Sequence, residues 1–489
     1  MMAKRLSVQE PTTLLAGKTA AAALEDPTRR SENKTGAWIG LRRILLGAHA
    51  LALADQSVVS GTSFVTMVVI GRASSPDELG VYALAIELLI LFQTSHEMLV
   101  TLPYTVQWHH PLGTPTEHAG SSLTLSWMFS VLTLVVLATT ASAMSALGTP
   151  PKLVAMTWAL SAVAPFALLR EFGRRFAFAH LQSSSALVLD IAAAATQLGL
   201  MAWLARSGSL SAVTALGAVG AGCGVTGVAW LYLARGNFVT RKDLLPKTIR
   251  KSWRFGKWLL ATQLTVTLQI QINYWLLAWI VGTSATGVYA ACTSVASLAN
   301  PVLLGSGNIL NAKAGFTLKE GAEKLRSATA QASLLLGAGM ALFFLVVAFA
   351  GEDIVQLLYP AQEYAGHSRT INTMALVPLA AAIGLPPYSA LAGLGRSREI
   401  FLTGALGVAV TAVLAWNLTP EWGLEGAASA YLSGTVARST ARWLMFLVLV
   451  RQQGSGGNEM TMNPTFTSAL VTRPPEDAPN RDYQPALRE

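Results

Sequence analysis

Long apolar runs dominate the chain, and polar positions inside them fall at helical rather than strand spacing. The stretch Phe255–Gly305 reads as two segments of membrane-spanning length joined by a short uncharged connection at Gly282–Thr286. A spanning helix needs roughly 20 mostly apolar residues, and each half supplies them. In the first half Thr262, Thr265, Gln269 and Asn273 recur every three or four residues, so they share one helical face. Such a stripe must face protein or a wet cavity rather than lipid.

The pattern returns near the start of the chain. Gly80-Val81-Tyr82-Ala83 repeats as Gly287-Val288-Tyr289-Ala290, an offset of 287 − 80 = 207 residues. The same offset sets Asp55 opposite Thr262, Thr62 opposite Gln269, and Thr66 opposite Asn273. Two related halves are therefore expected, an arrangement that transporters use.

Hydropathy predicts an all-α polytopic membrane protein of about twelve transmembrane helices in two pseudo-symmetric six-helix lobes around a central cavity. The expected span cores are Ala50–Gly71, Val81–Thr101, Ser122–Leu147, Leu153–Arg170, Leu181–Leu204, Ser211–Leu233, Trp258–Val281, Val288–Leu310, Ala330–Ala350, Ile371–Leu394, Phe401–Leu418 and Gly426–Val450. The corresponding organisation is a disordered cytoplasmic tail over 1–37, a first lobe over 38–234, a basic cytoplasmic linker over 235–257, a second lobe over 258–450 and a second tail over 451–489. Trp38–Gly47, with Arg42 and Arg43 against an apolar face, reads as an interfacial lead-in to the first span.

Charge supports this topology. Only 12% of the 489 residues are charged against 52% hydrophobic, and mean hydropathy is +0.46. Soluble domains carry about twice that charge. The formal net charge of +9 sits in alternate loops and the tails. It therefore reads as a topology signal placing both termini in the cytoplasm, not as a nucleic-acid surface. Cys223 and Cys292 lie in apolar segments and imply no disulfide framework. No metal-ligand spacing, phosphate loop, paired carboxylates or nucleophile elbow appears, so no enzyme, cofactor or metal is expected.

Four groups of residues could carry function. Arg438 and Arg442 lie four apart on one face of the last span, where an unpaired arginine costs several kcal/mol. They could form a cationic patch for an anionic substrate, pair with Asp190 or Glu87, or sit near an interface. Asp55 could bind a coupling cation or proton, hold Arg438 or Arg442, or stay at the interface; Glu87 and Asp190 are weaker candidates of the same kind. Gln269 and Asn273, with Thr62 and Thr66, could line the cavity and meet sugar hydroxyls, or bond between helices. Arg170, Glu171, Arg174 and Arg175 read as interface anchors. Pro103, Pro165, Pro301, Pro378 and Pro386-Pro387 are expected kinks.

The stretches Asp55–Ala85, Phe255–Gly305 and Trp422–Arg442 together resemble the polysaccharide transporters and lipid-linked oligosaccharide flippases of the multidrug/oligosaccharidyl-lipid/polysaccharide exporter superfamily. The resemblance implies two six-helix lobes that open alternately to each side of the cell membrane. It also implies a polyprenyl-diphosphate-linked glycan or other anionic amphiphile as cargo, with membrane lipids, glycan-synthesis enzymes and a coupling cation as partners. Arg438 and Arg442 would then be headgroup ligands. Relatives with lipid-linked cargo can carry two extra spans, and none is found here. A cation-coupled multidrug exporter and a non-transporting scaffold of a glycan-synthesis complex remain alternatives.

Overall fold

The computed structural model describes residues 51, 54–108, 111–317 and 321–455. Their regular structure is entirely helical. In chain order the helices are α1 (54–73), α2 (Pro76–His96), α3 (Leu102–Gln107), α4 (Pro115–Ala146), α5 (Pro151–Ala179), α6 (Ser183–Arg206), α7 (Ala212–Ala234), α8 (Leu245–Ile280), α9 (Thr283–Ala296), α10 (Asn300–Thr317), α11 (Ala322–Leu358), α12 (Ser368–Gly393) and α13 (Ser397–Ser455). Nine runs among the described residues are long and apolar enough to cross a membrane. The tail over 1–37, the lead-in Trp38–Gly47 and the second tail beyond residue 455 lie outside the described residues.

Local chemistry sets the helix boundaries. Ser75 caps α2 ahead of Pro76, and Thr114 with Glu117 forms a reciprocal capping box ahead of Pro115. Several expected spans acquire internal breaks. A π-turn at Glu97–Thr101 separates α2 from α3, just before Pro103. A 3-10 turn at Ser297–Ala299 separates α9 from α10, just before Pro301. The last two expected spans lie within α13, which breaks at Gly423 (φ 53°, ψ −123°). That backbone conformation is open only to glycine.

The basic connection over 235–257 departs from its expected form. Only its first part is a loop, because Leu245–Lys257 is the first three and a half turns of α8. Pro246 starts the helix, and the lysines and arginines that give the stretch its charge are also good helix formers.

Packing follows sequence order, with α4–α7 gathered on α5 and α10–α13 gathered on α12. α2 packs chiefly against α9, and that contact centres on the repeated tetrapeptide. A Cβ on Gly80 would lie 1.9 Å from the Thr283 carbonyl oxygen, and one on Gly287 would lie 1.8 Å from that of Pro76. Since 76 + 207 = 283, the contact is reciprocal: each glycine meets the residue equivalent to the one its partner meets. The helices touch backbone to backbone, as small residues allow in membranes. Around this crossing Thr283 donates to Asp77, Lys152 pairs with Asp77 (2.5 Å) and Glu78 (3.1 Å), and Arg72 donates to the last carbonyls of α11.

Candidate functional site

Two cavities and one pair of buried cations are candidate sites. The first cavity, about 610 Å³, lies between α1 and α2 on one side and α8, α9, α12 and α13 on the other. Its wall includes Glu87, Tyr274, Tyr289, Thr293 and Tyr431. Tyr274 and Tyr289 pack edge to face at 5.1 Å. The Gln271 amide donates to the Glu87 backbone carbonyl (2.5 Å), joining α8 to α2 beside the cavity. The half-buried Glu87 carboxylate has no hydrogen bond or ion pair among the described residues.

The second cavity, about 380 Å³, is enclosed by α1, α2, α5, α6 and α7 and is lined by Glu97, Arg170, Glu171, Arg174, Arg175 and Asp190. Asp55 and Asp190 are each 1% exposed. Arg174 holds both, at 2.6 Å to Asp55 and 2.9 Å to Asp190, and Arg170 holds the other oxygen of Asp190. Arg175 bridges Glu171 (2.9 Å) and Glu97, which sits at the π-turn. Three arginines thus face four carboxylates. Glycines give this bundle its close packing, since a Cβ on Gly220 would lie 2.7 Å from Val163.

The buried cations are Arg438 and Arg442, each 8% exposed on α13. Neither makes an ion pair among the described residues, and neither Nε has a partner. The Arg442 guanidinium lies 4.8 Å from the Tyr388 ring centre, a cation–π contact. Arg438 is seven residues beyond Tyr431, so it projects from the same face of α13 about 10 Å further along.

The sequence-predicted residues therefore separate into three places. Asp55 and Asp190 meet α5 arginines rather than Arg438 or Arg442, and Thr66 accepts a hydrogen bond from Gln197 on α6 (2.8 Å). Thr62 donates to the Val58 carbonyl and lines the second cavity. Gln269 is fully buried and donates to Thr435 on α13 (3.3 Å), while Asn273 donates to the Gln269 carbonyl (2.9 Å). Both polar stripes thus turn into their own helix groups, and neither Gln269 nor Asn273 lines the shared cavity. Glu87 alone among the nine faces that cavity.

Sequence reasoning missed the charge cluster by reading its α5 members as interface anchors. Its signal was the i, i+4 spacing of Arg170 and Arg174, which puts both on one face toward two carboxylates that needed partners.

Solved structures with a similar fold include transporters. A transporter of the MOP superfamily from Pyrococcus furiosus, for which a reversed pocket polarity suggests a different function, aligns with TM-score 0.63 at 12% identity over 84% of this chain and 96% of that one. An inward-facing multidrug-resistance MATE family transporter of the same superfamily aligns with TM-score 0.60 at 16% identity over 84% and 96%. A MATE transporter from Vibrio cholerae gives 0.59 at 18% over 84% and 98%. The fold is thus MATE-like, in a chain with the helices of a multi-pass membrane protein. The chain itself belongs to the polysaccharide biosynthesis protein family, whose model matches residues 48–308. No curated protein matches the sequence.

Proposed function

We propose that this protein is an alternating-access transporter of the cell membrane that moves a polyprenyl-diphosphate-linked oligosaccharide for polysaccharide export. Twelve crossings would form two six-helix lobes, 38–234 and 258–450, with both termini cytoplasmic, rocking about the cavity between α2 and α8. The observation that carries the reading is the pair Arg438 and Arg442, two buried cations four residues apart with no carboxylate partner among the described residues. Guanidinium suits phosphate oxygens, and the family supplies the link to glycan synthesis.

An unpaired buried cation destabilises the empty protein, so its removal separates binding from structure. Arg438→Met and Arg442→Met are expected to raise the unfolding temperature of the substrate-free protein in detergent. Each should also slow headgroup translocation in liposomes about tenfold or more, the equivalent of one charge-assisted contact. Faster unfolding with translocation unchanged would assign both arginines to structure and overturn the reading.

The carboxylate of Glu87 in the cavity, without a partner among the described residues, favours a second reading, a cation-coupled exporter. In that case Glu87→Gln should abolish transport of a cationic dye while Arg438→Met leaves it intact. The polysaccharide reading expects no dye transport in either.

A further inference from the structure

The first turns of α8 form a two-faced helix ahead of the expected span Trp258–Val281. Thr248, Ser252 and Gly256 are buried at four-residue spacing. Gly256 lies so close to the α2/α3 π-turn that a Cβ there would be 2.2 Å from the Met98 carbonyl oxygen. At about 100° per residue the opposite face carries Lys247, Arg250, Arg254 and Lys257, all exposed. None of the four makes an ion pair among the described residues. In contrast, Arg241 just upstream is paired with Glu117 (3.2 Å) and Asp243 (2.7 Å), and its hydrogen bond holds the Asp243 carboxyl below its ordinary value.

Tryptophans fix the depth of this face. Trp253 is 56% exposed, Trp258 65% and Trp279 71%. Trp258 and Trp279 are 21 residues apart on one helix, about 32 Å, which is close to the thickness of a bilayer's hydrocarbon core. Indoles favour the two interfaces. Trp279 packs near Trp416 (5.6 Å between centres), which marks the far interface on α13 as well. With Trp258 at the near boundary, Arg254, Arg250 and Lys247 lie about 6, 12 and 16 Å along the helix beyond it.

We infer that the exposed face of α8 over Lys247–Trp258 is a docking surface for anionic phospholipid headgroups, its four cations flanked by Trp253 and Trp258. Unpaired cations held at headgroup depth beside interfacial indoles complement a negative lipid surface. The same helix presses on the π-turn through Gly256 and continues into the cavity wall at Ile270 and Tyr274. Lipid seated there would therefore hold the helix that joins the two halves of the chain.

The test uses the full chain in nanodiscs containing equal phosphatidylglycerol and phosphatidylcholine, with native mass spectrometry counting the lipids retained on release. The wild-type protein should keep phosphatidylglycerol over phosphatidylcholine by several-fold. The variant Lys247→Gln/Arg250→Gln/Arg254→Gln/Lys257→Gln should lose that preference, while Arg250→Lys/Arg254→Lys keeps it. A control with Arg396→Gln/Arg398→Gln, in another basic loop, should behave as wild type. An unchanged preference in the four-fold glutamine variant would overturn the inference, as would its loss in the lysine variant. Displacement of the bound lipid by inorganic diphosphate at matched concentration would also overturn it, reassigning the face to a soluble phosphate ligand.

Discussion

Asp190→Ala is expected to be the most damaging single substitution in the charge cluster, costing about 3–5 kcal/mol of stability. The carboxylate has no side-chain exposure and is shared by two cations, Arg170 on one oxygen and Arg174 on the other. Its removal strands Arg170, whose only ion pair among the described residues is Asp190. Asp55→Ala should cost less, because Arg174 keeps Asp190 and Glu171 (3.6 Å). Breaking a buried pair is expensive mainly through the charge left behind, so replacing both partners should restore part of the loss. The unfolding temperature in detergent should therefore rank wild type above Asp55→Ala, and Asp55→Ala above Asp190→Ala. The double variant Arg170→Met/Asp190→Leu should recover toward wild type. If Asp190→Ala unfolds with the wild type, the cluster is hydrated and stabilises little.

This cluster also marks the limit of what the chain discloses as a string. Helix existence was legible because spanning segments must be apolar and about 20 residues long, and each expected span corresponds to helix wherever residues are described, although α1 and α8 are not among the nine runs apolar enough to cross a membrane. The direction in which polar residues point was only half legible. Periodicity puts Asp55, Thr62 and Thr66 on one face, and Gln269 with Asn273 on another. It cannot say whether that face looks into the shared cavity or into the helix's own group, because both exclude lipid. The partners decide: Arg174 on α5 for Asp55, Gln197 on α6 for Thr66, and Thr435 on α13 for Gln269. Arg170 and Arg174 misled for a related reason. Positive charge at the end of an apolar run usually faces the headgroups, and only a carboxylate on another helix turns it inward. The repeated Gly-Val-Tyr-Ala was legible as a repeat. Its use as a contact was not, since nothing local requires that two equivalent glycines meet each other.

That meeting gives a second large effect. Gly80→Ala is expected to drive α2 and α9 apart at their crossing. Real Cβ contacts essentially never fall below 3.0 Å, and the Gly80 Cβ would sit 1.9 Å from a backbone oxygen, so the helices must separate by at least about 1.1 Å. No side-chain rotation relieves the clash, because the obstacle is the Thr283 carbonyl. Gly287→Ala meets the same obstacle at Pro76 and should give the same phenotype, as a reciprocal interface requires. The Thr283–Asp77 hydrogen bond and the Tyr359 ring packed against Gly71 would be pulled open with it. Spin labels placed by Ala73→Cys, at the last residue of α1 just ahead of α2, and Ser284→Cys on α9, both exposed, report the opening. The wild-type protein should show a dominant short distance, and each alanine variant should shift population to longer ones, with transport falling in proportion. Because packed helix pairs switch between discrete arrangements rather than stretching, the variants should populate a second distance and not merely broaden the first. A distance distribution unchanged in both variants would mean that the crossing relaxes locally.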